Sequence, residues 1–344
     1  MGSGKMNRNR GLTHTGDEPL LKGIAAALDP EKQATAVIER MPEAVQSDPK
    51  EADDARSLSA ELPDSNEQIC QLDLWPEPER GSPNAFLRSA LFAAIQSENR
   101  QQIQGIPTKK TEQPPPVAVV TQKGLSIAYK GQQLDQYDLD VWLQAIHWAK
   151  AQPIGTECVF QGHPFLKEIG RTGGKLNYEL LTQSLTRLTD GLVVIKQGTM
   201  TFTGHLISSF VRDDKTRIYK IKFAEEILNL FGYSSFTRLQ WQQRRALKGK
   251  ALPLWLHGFY SSHAKPYPLT LDYLHKLCGS RNTAMRSFRA KLKKAFEDLE
   301  KVTGMKATFK GDIVSVERQP SNSQAKHLAE QPASHTLLRT AKKP

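Results

Sequence analysis

The chain has 344 residues, of which 38% are hydrophobic, and its mean hydropathy is −0.51. A chain of this length exceeds one small core, so we expect more than one domain. No stretch approaches the roughly 20 apolar residues that a membrane-spanning helix requires. The apolar run LLKGIAAAL follows two acidic residues rather than a basic leader, which argues against a secretory signal. The composition therefore predicts a cytoplasmic protein.

The sequence contains no recognisable metal, disulfide or enzyme motif. Cys70, Cys158 and Cys278 lie far apart, without a CxxC pair or a histidine at ligand spacing, so we expect reduced thiols. The GSGK at residues 2–5 lacks the first glycine of a phosphate loop and the Ser or Thr after its lysine. The remaining candidates, His163, His257, His263 and the Asp213–Asp214 pair, have no clustered partners for catalysis or metal binding. We therefore expect no enzyme activity and no cofactor.

The formal charge of +11 is unevenly distributed along the chain. Residues 1–69 contain 8 Lys and Arg against 13 Asp and Glu, a net charge of −5, so the remaining residues carry +16. Such a surplus on folded domains suggests a polyanionic partner, and nucleic acid is the first candidate. A generally solvated basic surface is the alternative.

Residues 1–69 contain no aromatic residue and are rich in Ala, Glu, Asp, Pro and Ser, which predicts a disordered acidic tail. Residues 70–118 hold the motif QLDLW, a short helix and a linker. The helix is predicted from the apolar spacing between Phe86 and Ala94. The linker KKTEQPPPVAV is expected to be extended because three consecutive prolines prevent helix formation.

From residue 119 to 232 the periodicity predicts a winged-helix domain. After the strands VAVVTQ and LSIAYKG comes a helix, DLDVWLQAIHWAK, then the strand TECVF, the short helix HPFLKEIG and the turn RTGG. A longer helix, KLNYELLTQSLTRLTD, is expected to turn five leucines inward, and the strands LVVIK and HLISSFV follow, joined by QGTMTFTG. TRIYKIKF adds a strand and AEEILNLF a connecting helix. The five leucines are Leu176, Leu180, Leu181, Leu185 and Leu188.

The same order recurs within residues 233–318, from LPLWLHGFYSSH through DYLHKLCG and TAMRSFRAKLKKAFEDLEKV to the strands KATFK and IVSVER. The predicted fold class is therefore α+β, with tandem winged-helix domains preceded by a disordered acidic tail. Residues 319–344 are predicted to be a disordered basic tail.

The long helix of the second unit carries the strongest candidate DNA contacts. Its buried stripe is predicted at Met285, Phe288, Leu292, Phe296 and Leu299. Six polar residues lie at its start or about a quarter turn from that stripe, where Arg suits guanine edges, Asn suits adenine and Lys suits phosphates. They are Arg281, Asn282, Thr283, Arg286, Arg289 and Lys293. A solvated face of an amphipathic helix is the alternative.

The corresponding helix of the first unit is less basic, and its candidate contacts are Lys175, Asn177, Gln183 and Arg187. These side chains are expected to be exposed and to contact bases or phosphates. The unit is equally interpreted as an assembly module, because the hairpin VRDDKTR offers a strand edge to a partner.

The segment FYSSHAKPYPLTLDYLHKLCGSRNTAMRSFRAKLKKAFEDL, together with VWLQAIHWAKAQPIG and LDLWPEPERGSPNAFLRSALF, resembles TrfA-type plasmid replication initiators. The resemblance spans roughly residues 71–316. It implies a bacterial cytoplasmic protein, associated with the plasmid or nucleoid, that binds direct repeats (iterons) in duplex origin DNA. It also implies opening of an adjacent A·T-rich segment, with contact to the single strand, and recruitment of the host initiator and replicative helicase. Monomers would initiate replication, and homodimers would restrain copy number.

The motif at residues 71–75 resembles the peptides by which bacterial proteins dock on the sliding clamp. The matching residues are Gln71, Leu72, Asp73, Leu74 and Trp75. In such peptides the apolar side chains fill a pocket of the clamp and the glutamine fixes the register. Packing of Leu72, Leu74 and Trp75 on the core of this protein is the alternative. For the whole chain, a winged-helix transcriptional repressor is the alternative function.

Overall fold

The computed structural model describes residues 75–105, 113–151, 157–231 and 236–330. Within them, the helices are α1 (Asn84–Leu87), α2 (Gln136–Ala149), α3 (Gly162–Glu168), α4 (Lys175–Asp190), α5 (Trp241–Ala246), α6 (Ala251–Ser261), α7 (Leu271–Leu277), α8 (Met285–Thr303) and α9 (Asn322–Glu330). The strands are β1 (Glu79–Pro83), β2 (Phe92–Ala93), β3 (Gln102–Ile103), β4 (Val117–Val119), β5 (Leu125–Gln132), β6 (Leu134–Asp135), β7 (Glu157–Gln161), β8 (Leu192–Gln197), β9 (Met200–His205), β10 (Ser209–Arg212), β11 (Ile218–Lys222), β12 (Phe236–Gln240), β13 (Leu269–Thr270), β14 (Lys306–Lys310) and β15 (Ile313–Glu317). Two 3₁₀ segments, Ser97–Asn99 and Glu225–Phe231, connect them.

The first unit follows the predicted order α2, β7, α3, α4, β8 and β9. Helix α2 begins at a capping box in which the Asp135 carboxylate accepts the N–H groups of Tyr137 and Asp138, while Asp138 accepts the N–H of Asp135. Strand β8 pairs with both β5 and β9. Strand β7 does not join them, because it pairs with β11 in a separate sheet of order β10-β11-β7.

The second unit repeats the order with α6, β13, α7, α8, β14 and β15. Its sheet has the order β13-β15-β14, so the short strand between the first two helices pairs directly with the terminal hairpin. Its hydrophobic core runs from Leu247 to Val316 and is distinct from the core of the first unit, which runs from Trp75 to Trp241.

The segment from Asn84 to Ile95 lies between the two units, and there the predicted helix is wrong beyond Leu87. The N–H of Ala94 donates to the carbonyl of Cys278 at 2.7 Å, and the indole of Trp255 donates to the carbonyl of Ser89 at 3.2 Å. The apolar residues of this segment are buried on several sides by both units. Their spacing therefore reflects two flanking surfaces and not one helical face.

Three further expectations differ from the structure. Leu176 is 67% exposed and Met285 is 37% exposed, because the first turns of α4 and α8 project past the cores that bury the later turns. Strand β9 occupies most of the segment expected to connect two strands, and the predicted strand HLISSFV begins only at Ser209. Helix α9 lies in the segment for which the composition predicts disorder.

Three arginines from different parts of the chain meet three carboxylates, one at the N-cap of α2 and two in its first turns. Arg100 pairs with Asp135, Arg187 pairs with Asp138 at 2.7 Å, and Arg244 pairs with Asp140. Burial, followed by the neighbouring Asp138 carboxylate, raises the pKa of Asp135 to about 6. These pairs fix α2 against α4, against the segment before β3 and against α5.

The aromatic side chain of Trp75 is completely buried in the first core. Its Nε1–H donates to Nδ1 of His147 at 2.9 Å, and its ring lies 5.4 Å from that of Phe231. A Cβ at Gly81 would lie 2.2 Å from the indole, so only glycine at this position leaves room for the ring. For Trp75, the expectation of packing on the core is confirmed.

The buried imidazole of His257 predicts a loss of stability in acid. Burial lowers the pKa of His257 from 6.5 to about 3, and the charges of Arg244 and Arg318 act in the same direction. The unfolded chain therefore binds the additional proton first, and stability present above pH 6.5 is lost as the pH falls toward 3. Between pH 7 and 4.5 this group should account for about 2 to 3 kcal/mol.

Urea unfolding of wild type and His257→Gln at both pH values measures this contribution. The variant should lose less stability on acidification than wild type. His163→Gln, which removes an exposed histidine, is the matched control and should leave the pH dependence unchanged. Equal losses in wild type and His257→Gln would contradict the assignment.

Candidate nucleic-acid interface

Helix α8 presents one buried face and one exposed cationic face. Phe288, Leu292, Phe296 and Leu299 are buried in the second core. The helix starts at Met285 without a side-chain cap and ends at Thr303, and the capping residue Gly304 has a φ of 74°, the left-handed conformation that favours glycine. The amphipathic pattern thus fixes which side chains remain free on the surface.

The β14–β15 hairpin lies along one flank of α8. Nη1 of Arg289 is 3.2 Å from Oδ1 of Asp312 in the hairpin turn, and Nζ of Lys293 lies 5.6 Å from the ring centre of Phe309 on β14. Arg286, one helical turn before Arg289, is exposed, as are Arg281 and Thr283 at the helix start. The structure thus brings three predicted residues together on one side of α8, namely Arg286, Arg289 and Lys293, while Arg281 and Thr283 are exposed in the turn before it.

Asn282 supports the turn before α8 and is only partly exposed. Its carbonyl lies 2.8 Å from Nε2 of His275, and its side chain contacts Oγ of Ser280 at 3.2 Å and Nζ of Lys291 at 2.9 Å. Both ends of the amide are therefore already bonded. This engagement differs from the expectation of an amide free for base contact.

In the first unit, the exposed candidates are fewer than predicted. Lys175 is exposed and lies 4.0 Å from the carboxylate of Glu179, and Gln183 is exposed. Asn177 donates to the carbonyl of Thr172 at 2.9 Å and so supports the turn before α4.

The prediction that Arg187 is exposed is wrong. Only 6% of the residue is accessible, and its guanidinium donates to both carboxylate oxygens of Asp138. Ser184 donates to the same carboxylate at 2.7 Å. Because the guanidinium compensates a buried carboxylate, Arg187 is a structural residue in this conformation.

The predicted clamp motif is only partly within the described residues, since Gln71, Leu72, Asp73 and Leu74 lie outside them. Trp75 is not free to anchor a partner in this conformation, because its indole fills a pocket of the first core. Its carbonyl also accepts from Nζ of Lys150.

Two cationic residues of the hairpin, Lys306 and Lys310, were not among the sequence-based candidates. Both are exposed on β14, on the side of the strand away from Phe309. The alternation of lysine and apolar residues in KATFK, together with the hairpin glycine, is the signal that identifies them.

Within the ranges that the structure describes, no group of three or more His, Cys, Asp or Glu side chains could hold a metal ion. The helices of those ranges include none with the length and apolarity needed to cross a membrane.

Comparison with solved structures gives two partial matches. Domains 2 and 3 of RctB match with a TM-score of 0.46 and 11% identity, covering 69% of this chain and 98% of that chain. The Pi initiator protein in complex with iteron DNA matches with a TM-score of 0.42 and 13% identity, covering 57% of this chain and 97% of that one.

Sequence comparison identifies the family. The chain is 27% identical over 297 residues to the plasmid replication initiator protein TrfA of Escherichia coli, which covers 80% of this chain and 73% of that protein. A family model described as TrfA protein matches residues 38–318. Because the matched region is most of the sequence, the chain belongs to the TrfA family of plasmid replication initiators.

Proposed function

We propose that this protein initiates plasmid replication by binding iterons in duplex origin DNA through α8 and the β14–β15 hairpin. The observation that carries the proposal is the exposed cationic face of α8 in a member of the TrfA family. In this interpretation each unit is a winged helix, and α8 is the helix that enters the major groove. The pairing of β13 with the terminal hairpin in the second unit supports this interpretation.

The exposed residues of α8 divide between two tasks. Arg286 lies in the second helical position, where its guanidinium is free to contact a guanine edge. Arg289 and Lys293 contact the hairpin, so they combine phosphate binding with placement of the wing. Lys306 and Lys310 extend the cationic surface along the hairpin.

The remaining steps of initiation belong to the same proposal. We propose that the protein has no catalytic activity and that strand opening draws on DNA binding and supercoiling, with A·T-rich and pyrimidine–purine steps opening first. It would then hold the single strand and recruit the host initiator and replicative helicase in the bacterial cytoplasm. Homodimers would lower the pool of active monomers and so limit copy number.

Clamp docking by residues 71–75 is proposed with one structural condition. The indole of Trp75 cannot occupy the pocket beside His147 and a pocket of the clamp at the same time. Docking that uses Trp75 would therefore require its release from the first core. The free energy of that release would be subtracted from the affinity for the clamp.

Substitution of Arg286 should weaken sequence-specific binding. Arg286→Ala is expected to reduce affinity for an iteron duplex by about 1 to 3 kcal/mol and to leave affinity for a scrambled duplex nearly unchanged, because the lost contact is to a base edge. Fluorescence anisotropy titrations against both duplexes at one salt concentration measure the effect. Lys301→Ala, an exposed lysine in the last turn of α8, is the control. Unchanged discrimination in Arg286→Ala would refute the base contact.

A permanganate footprint on supercoiled origin DNA separates initiation from repression. If the protein initiates replication, thymines beside the iterons should become reactive in its presence. A transcriptional repressor with the same fold would protect the iterons without exposing any thymine. Protection alone would therefore count against strand opening.

Two variants test the clamp proposal. Leu74→Ala should weaken clamp pull-down, because the proposed docking places this side chain in a pocket of the clamp. Trp75→Ala should weaken the pull-down and also destabilise the first unit by about 3 to 5 kcal/mol, because it leaves a cavity in the core. Undiminished pull-down in both variants would exclude docking through this motif.

A further inference from the structure

A second group of cations lies on the flank of α8 opposite the hairpin. At 3.6 residues per turn, Arg289 and Lys291 are about 200° apart around the helix axis, so they face opposite sides. Lys291 and Lys294 share the second side and line a cavity of about 490 Å³. The start of α6 and the turn before α8 also line the cavity and contribute Lys250 and Arg281, and uncharged residues between Ala94 and Asn99 line the rest of it.

The charge of this cavity is strongly unbalanced. Four of its lining residues are cationic, and Asp298 is the one carboxylate among them. That carboxylate accepts from Nζ of Lys250 at 2.8 Å, and Lys291 donates to Asn282 at 2.9 Å. Among the described residues, neither Arg281 nor Lys294 forms a hydrogen bond or an ion pair.

The backbone at the start of α6 adds to the positive charge of the cavity. Helix α6 begins at Ala251 without a side-chain cap from Lys250, and its first residues line the cavity. N–H groups in the first turn of a helix have no carbonyl of the same helix to bond and carry the positive end of its dipole. Ala251 and Leu252 each carry such an N–H, whereas Pro253 has none, so the cavity combines lysine and arginine side chains with two backbone amides, groups that proteins use for phosphate oxygens.

The position of the cavity indicates which phosphate it takes. A helix with its side chains is about 10 to 12 Å across, and the major groove is about 12 Å wide, so each flank of an inserted helix faces the backbone of one strand. On α8, one flank carries the hairpin with Arg289 and Lys293. The other flank carries the cavity.

We propose that this cationic cavity binds a backbone phosphate of the duplex strand opposite the one that the hairpin contacts. The inference rests on the proposed binding of duplex DNA through α8 and specifies how the second strand is held. Arg286 would read bases between two backbone contacts, one on each side of the groove. Contact to both strands fixes the rotation of α8 in the groove.

A charge-neutralising pair of variants tests the cavity. Lys294→Gln should reduce affinity for iteron and scrambled duplexes by the same factor, because a phosphate contact carries no base information. The plot of log K against log salt should become less steep by roughly 0.9 for one lost phosphate contact. Lys301→Gln changes the same charge seven residues later on nearly the same face of α8, beyond the cavity, and should have neither effect. An equal salt dependence in Lys294→Gln and wild type would overturn the proposal.

Single methylphosphonate substitutions in the iteron duplex locate the phosphate. In wild type, we expect one position on each strand at which the neutral methylphosphonate reduces affinity more than at any other position of that strand. In the Lys291→Gln, Lys294→Gln double variant, the methylphosphonate on one strand should no longer reduce affinity. In Lys310→Gln, the methylphosphonate on the other strand should reduce affinity less than it does in wild type. Loss of this reduction on the same strand in both variants would contradict the placement.

Two outcomes separate this proposal from the proposed function. If wild type prefers iterons but the cavity variants bind like wild type, the cavity proposal falls and iteron binding stands. If wild type shows no preference between iteron and scrambled duplexes, the proposed function falls. An effect of the cavity variants on single-stranded DNA alone would also overturn the assignment to a duplex phosphate.

Discussion

Three carboxylates at the start of α2 hold several described parts of the chain together. Asp135, Asp138 and Asp140 lie within six residues and each binds an arginine from another element. Removing a charge from water is costly, and pairing with further hydrogen bonds offsets that cost only when the geometry is good. A change that leaves any of these carboxylates without its partner exposes the full desolvation cost. The position of α2 is therefore set by charge as much as by its apolar face.

The third of these pairs extends the constraint to the second unit. Arg244 on α5 reaches Asp140 and Gln136 on α2 and donates to the carbonyl of Leu254 on α6 at 3.2 Å. The buried guanidinium of Arg244 therefore contacts α2, the first helix of the first unit, and α6, the corresponding helix of the second unit. The relative placement of the two units within the described residues has a specific polar basis in addition to apolar contact.

The basic residues fall into two groups, those that pair with carboxylates in the interior and those that are exposed. Arg100, Arg187 and Arg244 meet carboxylates in the interior. Arg281, Arg286 and Lys294 remain exposed on or beside α8. Because each of these three arginines is matched by an aspartate, the pairs add nothing to the net charge of +11. Surface potential, and not total charge, connects this fold to a polyanion.

The spacing of apolar residues in the sequence was sufficient to predict an element where one face of that element is buried and the other is solvated. It identified α4 over Lys175–Asp190 and placed Phe288, Leu292, Phe296 and Leu299 in the second core. It could not distinguish a solvated arginine from one that meets a carboxylate 49 positions away, and so it placed Arg187 on the surface. The helix predicted through Phe86–Ala94 failed for a related reason, because burial there comes from two units that are distant in sequence. Local patterns contain no information about such partners.

The segment around Arg88 also sets an order of events during synthesis. Arg88 donates to Oγ of Ser262, 174 residues later, and Ala94 donates to the carbonyl of Cys278. A nascent chain leaves the ribosome from its amino end, so this segment is synthesised long before its partners exist. Phe86 and Leu91 pack in the first core, but the partners that Arg88, Ser89 and Ala94 find in the second unit are absent until that unit has emerged. The segment therefore leaves the ribosome before the residues that it binds in the second unit have been synthesised. Its contacts with that unit can form only late in translation.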